Sequence, residues 1–121
     1  MSLENNLDFN ITEFDEYQRL AKKTAIYEKN KEMDKFYPFL GLAEEAGEVL
    51  GQAKRIIRDD EGVLTEERKN RIIKELGDLI WYASAVCNEM NISFSEVANI
   101  NLTKLFRRKA ENKIHGSGSD R

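Results

Sequence analysis

Two short acidic patterns stand out because their spacing, as well as their charge, suits chemistry. Glu45-Ala46-Gly47-Glu48 is echoed by Glu75-Leu76-Gly77-Asp78: carboxylate, two residues, carboxylate, with glycine between and apolar residues after. On a helix each residue turns about 100°, so positions i and i+3 lie about 60° apart on one face. Leu42, Ala46, Val49, Ala53 and Ile56 fill the arc beside the first pair. Ile72, Leu76, Leu79, Ala83 and Val86 do the same beside the second. Each acid pair therefore sits on the shoulder of a core-facing stripe. Two such helices packed together would turn Glu45, Glu48, Glu75 and Asp78 toward one small volume. Four carboxylates cannot crowd there ionised without a cation, because like charges raise one another's pKa. Oxygen-only ligands suit a hard divalent ion, Mg²⁺ or alternatively Mn²⁺. A single Glu-x-x-Glu pair reads more simply as a solvated helix face; the duplication beside two apolar stripes favours a site. A di-iron bundle would want Glu-x-x-His on two helices, and the one histidine, His115, is near the end of the chain. A calcium loop at Asp59-Asp60-Glu61-Gly62 fails, with Ile57 and Arg68 where the first and last ligands belong.

The elements that must position these acids are helices. There is one proline, Pro38, and no alternating β-branched stretch. The first helix is expected from Asn10 or Thr12 to Tyr27, with Asn10 and Glu13 as a capping box. Glu28 to Lys35 reads as a loop. Pro38 fits the first turn of a second helix that ends near Arg58. Thr65 caps a third, with Glu66 and Glu67 complementing its dipole, and that helix stops at Asn91. Ser93 with Glu96 opens a fourth, running to about Ala110. The expected fold is an all-α four-helix bundle over residues 11–111, after an N-terminal extension 1–10 and before a flexible Gly/Ser tail 112–121.

Composition narrows the function. The chain has 121 residues, enough for one domain, with 19 Lys+Arg against 22 Asp+Glu and a net charge of −3. That balance argues against a nucleic-acid-binding protein. No apolar run reaches the ~18 residues of a membrane span, and the first residues lack a signal-peptide layout. The lone cysteine, Cys87, is expected to be a buried helix position in a reducing compartment, so a cytoplasmic protein is expected.

At this point the chain resembles the MazG-like all-α nucleoside triphosphate pyrophosphohydrolases. Glu44-Glu45-Ala46-Gly47-Glu48 followed by Glu75-Leu76-Gly77-Asp78 matches that family's Glu-Glu-x-x-Glu and Glu-x-x-Asp signature. Tyr17-Gln18, Ala21, Thr24-Ala25, Tyr37-Pro38, Gly41-Leu42-Ala43, Asn101-Leu102, Lys104-Leu105 and Arg108-Lys109 add to the likeness. Ile114 to Gly118 resembles the tail of some bacterial members, although Ser119-Asp120-Arg121 departs from it. The resemblance implies hydrolysis of a (deoxy)nucleoside triphosphate to the monophosphate and pyrophosphate, with Glu45, Glu48, Glu75 and Asp78 as metal ligands. It also implies a homodimer or dimer of dimers. Glu44 belongs to the signature and is the candidate general base, although an ideal helix points it about 100° away from Glu45.

On the substrate side, Tyr82 lies one turn beyond Asp78 and is a candidate to stack on a base; the plainer reading is a tyrosine at the core edge. Asn101, Lys104 and Arg108 share a stripe on helix four, where the cations suit a leaving pyrophosphate or simply a basic helix end. Gln18 is a candidate to reach the base from helix one. Trp81 and Ile80 lie off the acid face, as core or subunit contact. Gly47 and Gly77 each cost about 1 kcal/mol of helix propensity relative to Ala, which close helix approach within the chain or across a dimer would explain. Two other functions remain in view: phosphoribosyl-ATP pyrophosphohydrolysis, and a non-catalytic helical module that binds nucleotide or a partner.

Overall fold

The structure, a computed structural model, describes residues 8–111. The expected tail with His115 lies outside them, as does most of the N-terminal extension. Among the described residues the chain is all-helical: α1 (Phe14–Lys22), a 3₁₀ turn (Glu32–Phe36), α2 (Tyr37–Asp59), α3 (Glu66–Glu89) and α4 (Phe94–Ala110).

α2 and α3 are the long elements, and their antiparallel seam is the main packing contact. Pro38 sits in the first turn of α2, where its missing N–H is no loss. After Asp60, Glu61 (φ 55) and Gly62 (φ 76) adopt left-handed backbone, and the Gly62 N–H reaches back to the Ile56 carbonyl at 2.9 Å. The glycine makes this reversal cheap. Thr65 caps α3 as expected, its hydroxyl accepting from the Arg68 N–H at 3.1 Å. Asn91, at φ 56, turns the chain after α3, and Ser93 caps α4 by accepting from the Glu96 N–H at 3.2 Å.

α1 is shorter than its sequence suggests, and the Asn10–Glu13 capping box is not made. Glu13 is the N-cap without a side-chain bond. Ile11 is half-buried and lines an apolar cavity together with Tyr17, Leu20 and Trp81, a position that competes with extending the helix. At the other end the N–H groups of Lys23, Thr24 and Ala25 bond three residues back, and the Thr24 hydroxyl donates to the Ala21 carbonyl at 2.7 Å. The Trp81 indole N–H donates to that same hydroxyl at 2.8 Å. The tightened turn ends the helix well before Tyr27, whose ring stacks on Tyr37 at 5.3 Å. The Glu28 to Lys35 loop also holds most of the 3₁₀ turn.

α1 lies on α3 and braces the start of α4. Asp15 accepts from both the N–H (2.9 Å) and the hydroxyl (2.7 Å) of Ser95, which holds its carboxyl below the usual range. Gln18 accepts from the Phe94 N–H at 2.8 Å. Orphan donors of the α4 N-terminus are thus satisfied by α1. The buried apolar core is small: Ala21, Ala85, Val86, Cys87 and Phe94. Cys87 is buried as its flanks suggest, and burial pushes its thiol up. Much apolar surface stays open, including Leu40, Leu50 and Ile57 on α2 and Ile100, Leu102 and Phe106 on α4. α4 packs chiefly on α1 rather than on α2 or α3.

The close approach of α2 and α3 comes at Gly41, not at the two glycines of the acidic patterns. A Cβ built on Gly41 would overlap the Tyr82 ring, whereas Gly47 and Gly77 face open space. Gly41→Ala should therefore destabilise the protein by about 1–3 kcal/mol, the usual cost of overpacking. A lowered urea midpoint at unchanged slope would report this, and an unchanged midpoint would show that the ring moves aside freely.

Candidate metal centre

The α2–α3 seam brings three of the four expected acids together. Glu45 from α2 and Glu75 and Asp78 from α3 each offer an oxygen lying within 4.8 Å of the others. Glu45 and Glu75 are half-buried and Asp78 is exposed. Glu48 is exposed and stands outside this group, though its charge still reaches Glu45. Burial pushes the Glu45 carboxyl up first, and the charges of Asp78, Glu75, Glu44 and Glu48 push it further. No basic side chain among the described residues forms an ion pair with these acids; the pairs that form lie elsewhere, as at Arg68–Asp60 and Lys29–Glu89.

Three carboxylates from two helices, mutually repelling, with oxygen as the only donor type, fit a hard divalent cation. Among the described residues no histidine or cysteine joins the cluster, so nitrogen and sulfur donors are not part of it. The repulsion gives a pH test. Because the folded state raises the pKa of Glu45, its ionisation costs stability at neutral pH, and that cost disappears as pH falls below the carboxylate range. Glu45→Gln without metal should therefore be more stable than wild type near pH 7, with the gap closing on acidification. Paired thermal melts across pH would check the sign; a gap that widens toward low pH would contradict it.

The other expected site residues are placed as follows. Glu44 is exposed beside Glu45, and its charge reaches both Glu45 and Tyr82. Tyr82 lies over Gly41 with its ring edge-on to Trp81 at 5.0 Å. Its hydroxyl is pushed up by burial first, then by Tyr37 and by the charges of Glu45 and Glu44. Gln18 is engaged at both ends: its nitrogen donates to Asn88 and to the Ile92 carbonyl, each at 2.9 Å, and its oxygen takes the Phe94 N–H. That amide ties α1 to the α3–α4 junction, so this chain leaves it no free group for a base. On α4, Asn101 is exposed, Lys104 half-buried and Arg108 buried at 4% exposure. α4 does not pack closely on the α2–α3 seam within the chain, so the structure does not bring this trio to the acids.

Sequence reasoning missed a groove of about 440 Å³ that starts at Glu75 and runs along the seam past Lys74, Arg71, Asn70 and Gln52. The cations were visible as the residues one and four positions before Glu75. Their spacing alone does not distinguish them from other charged residues of that helix; their place beside Gln52 of α2 does. Arg71 bonds Glu67 at 3.1 Å across an exposed turn of α3, a contact worth little in water.

The helical hairpin presents an acid cluster that could hold a cation, beside a groove lined by Arg71 and Lys74 together with Glu67 and Glu75. Residues 39–112, more than half of the chain, match the family described as the MazG nucleotide pyrophosphohydrolase domain. The chain is also 40% identical over 111 residues to the Gene 37 protein of Mycobacterium phage L5, covering 88% of this chain and 97% of that protein. No solved structure matches. The chain belongs to the MazG nucleotide pyrophosphohydrolase family. No helix among the described residues is long and apolar enough to cross a membrane.

Proposed function

We propose that the protein hydrolyses a (deoxy)nucleoside triphosphate between its α- and β-phosphates, in a Mg²⁺- or Mn²⁺-dependent reaction that serves nucleotide-pool sanitation in the cytoplasm. The convergence of Glu45, Glu75 and Asp78 within 4.8 Å carries this reading. Residues 11–111 form the catalytic domain. Glu45, Glu75 and Asp78 would hold the ion, with Glu48 as the fourth ligand from the same face of α2. When bound, the ion supplies charge neutralisation for the phosphates and a more acidic water.

The chain's own residues do the rest. The water oxygen bonds to the α-phosphorus, and the bond from that phosphorus to the bridging oxygen breaks, so pyrophosphate departs with the electron pair. Glu44, the remaining carboxylate of the signature, is assigned to accept the water's proton. Arg71 and Lys74 line the groove at Glu75 and supply charge-assisted hydrogen bonds to the outer phosphates. Tyr82, held over Gly41 at the opposite side of the acids, is assigned to the nucleoside. Asn101, Lys104 and Arg108 on α4 are assigned to substrate through a second copy of the chain.

The open apolar residues support that second copy. Ile100 and Phe106 are 61% and 66% exposed, high for side chains of that size in a small helical protein. A homodimer, or a dimer of dimers, covers them.

The test is a nucleotide panel with Mg²⁺ that includes phosphoribosyl-ATP, read by pyrophosphate release. Turnover of one or more nucleoside triphosphates is expected. Preference for phosphoribosyl-ATP would move the assignment to that reaction, and no turnover at all would leave a binding module. Mg²⁺ or Mn²⁺ should also raise the thermal midpoint, since binding relieves the acid cluster's repulsion and favours the folded state by mass action. A midpoint indifferent to millimolar divalent ion would count against the site.

A further inference from the structure

Gln52 is an unusual side chain on α2. It is 6% exposed, and buried amides ordinarily have both ends satisfied. Its oxygen accepts from Arg68 Nη1 at 2.8 Å. Arg68 is in turn fixed by Asp60, through Nε at 2.7 Å and Nη2 at 3.3 Å. Because a guanidinium can only donate, it dictates which end of the amide faces it. The Gln52 nitrogen must then point the other way. It has no hydrogen-bond partner among the described residues, and Gln52 lines the groove that begins at Glu75. A buried residue is thus held in place by the Asp60–Arg68 pair, with its amide nitrogen left open to the groove.

Its position along the seam is informative. Gln52 lies seven residues beyond Glu45 on α2, and Arg68 seven before Glu75 on α3, so both sit about 10 Å from the acids toward the α2–α3 turn. In the opposite direction the seam is aromatic, with Tyr82 on Gly41, Trp81 beside it, and Tyr27 stacked on Tyr37. A nucleotide held at the acids by its α-phosphate therefore runs its phosphate chain past Lys74 and Arg71 and its nucleoside toward the rings. The group that meets Gln52 is the outermost phosphate.

We propose that Gln52, positioned by Arg68, donates a hydrogen bond to the γ-phosphate and sets a preference for triphosphates over diphosphates. The inference rests on the pyrophosphohydrolase reading and adds to it a residue that discriminates substrate length. Arg68 is a positioning residue; Gln52 would touch the substrate.

Gln52→Glu is the sharpest variant. It keeps the size of the side chain and an oxygen for Arg68, and replaces only the groove-facing donor with an acceptor bearing charge. The readout is kcat/KM for one nucleoside as its triphosphate and as its diphosphate, with Mg²⁺. In Gln52→Glu the triphosphate value should fall at least tenfold while the diphosphate value stays within about twofold, so the ratio of the two collapses. Gln52→Ala should move the ratio the same way by a smaller factor. General damage to the fold lowers both substrates together and leaves the ratio alone. An unchanged ratio, with or without lower activity, would overturn the proposal. If the wild-type protein turns over neither nucleotide, the activity reading fails separately, and calorimetric binding of inorganic tripolyphosphate and pyrophosphate with Mg²⁺ decides Gln52. A wild-type preference for tripolyphosphate that Gln52→Glu removes would support the contact; equal binding of the two by wild type, or a preference that survives the substitution, would overturn it.

Discussion

Asp78→Asn is expected to lower kcat/KM for the nucleoside triphosphate at least ~100-fold, about 2.7 kcal/mol of transition-state stabilisation. The asparagine keeps the size and shape of the side chain and replaces a charged ligand oxygen with a neutral, weaker one. Asp78 is the exposed member of the acid group, so the substitution disturbs little packing. Its charge is among the causes that raise Glu45 and Tyr17, and removing it relieves both. The metal-free variant should therefore be as stable as wild type or slightly more so, while the thermal gain on adding Mg²⁺ shrinks. Stability held and activity lost is the combination that separates a ligand from a structural acid. Glu66→Gln, in the first turn of the same helix, is the control and should change stability by no more than about 0.5 kcal/mol. Steady-state kinetics on the two variants side by side decide the matter, and equal turnover would remove Asp78 from the site.

Phe106→Glu is expected to weaken self-association at least ~100-fold, again about 2.7 kcal/mol. Phe106 is 66% exposed on α4, a helix that packs chiefly on α1. A phenylalanine buries roughly 150–250 Å² in a good contact. In a two-fold interface the same substitution acts twice, once from each copy. A charge placed there should shift the assembly toward monomer at micromolar concentration and reduce activity with it, because α4 carries Lys104 and Arg108. The metal-free monomer should retain its helical content. Sedimentation velocity checks the shift. Wild-type protein that runs as a monomer, or a variant with the same assembly, would leave the apolar face of α4 without this explanation.

Much of the fold was legible because its signals are local. Thr65, Ser93, Pro38, Gly62 and Asn91 each mark a boundary through a bond or dihedral that depends on a few neighbouring residues. α1 was misjudged for the opposite reason. Its ends are tied to the cavity that Ile11 lines with Trp81 and to the Trp81 bond to Thr24, features that depend on residues far along the chain. The acid pairs were legible as two equivalent shoulders, and the seam brings Glu45, Glu75 and Asp78 together. Helical spacing alone did not reveal that Glu48 stands further out, because that depends on the rotation of α2 against α3. The position of close approach was also hidden: Gly41 is distinguished from Gly47 and Gly77 only by the Tyr82 ring above it. Gln18 looked free in sequence and is fully bonded in the structure, while Gln52 drew no notice and holds an open donor.

The central claim, water attacking the α-phosphorus at the Glu45–Glu75–Asp78 centre, is tested most directly by isotope placement. The preferred triphosphate from the panel would be hydrolysed in ¹⁸O-water with Mg²⁺, and the products separated and weighed by mass spectrometry. The account predicts equal amounts of nucleoside monophosphate and pyrophosphate, the label in the monophosphate, product formation at least ~100-fold slower with Asp78→Asn, and none after chelation. Label in the pyrophosphate, release of diphosphate and orthophosphate, or turnover that survives chelation would contradict it.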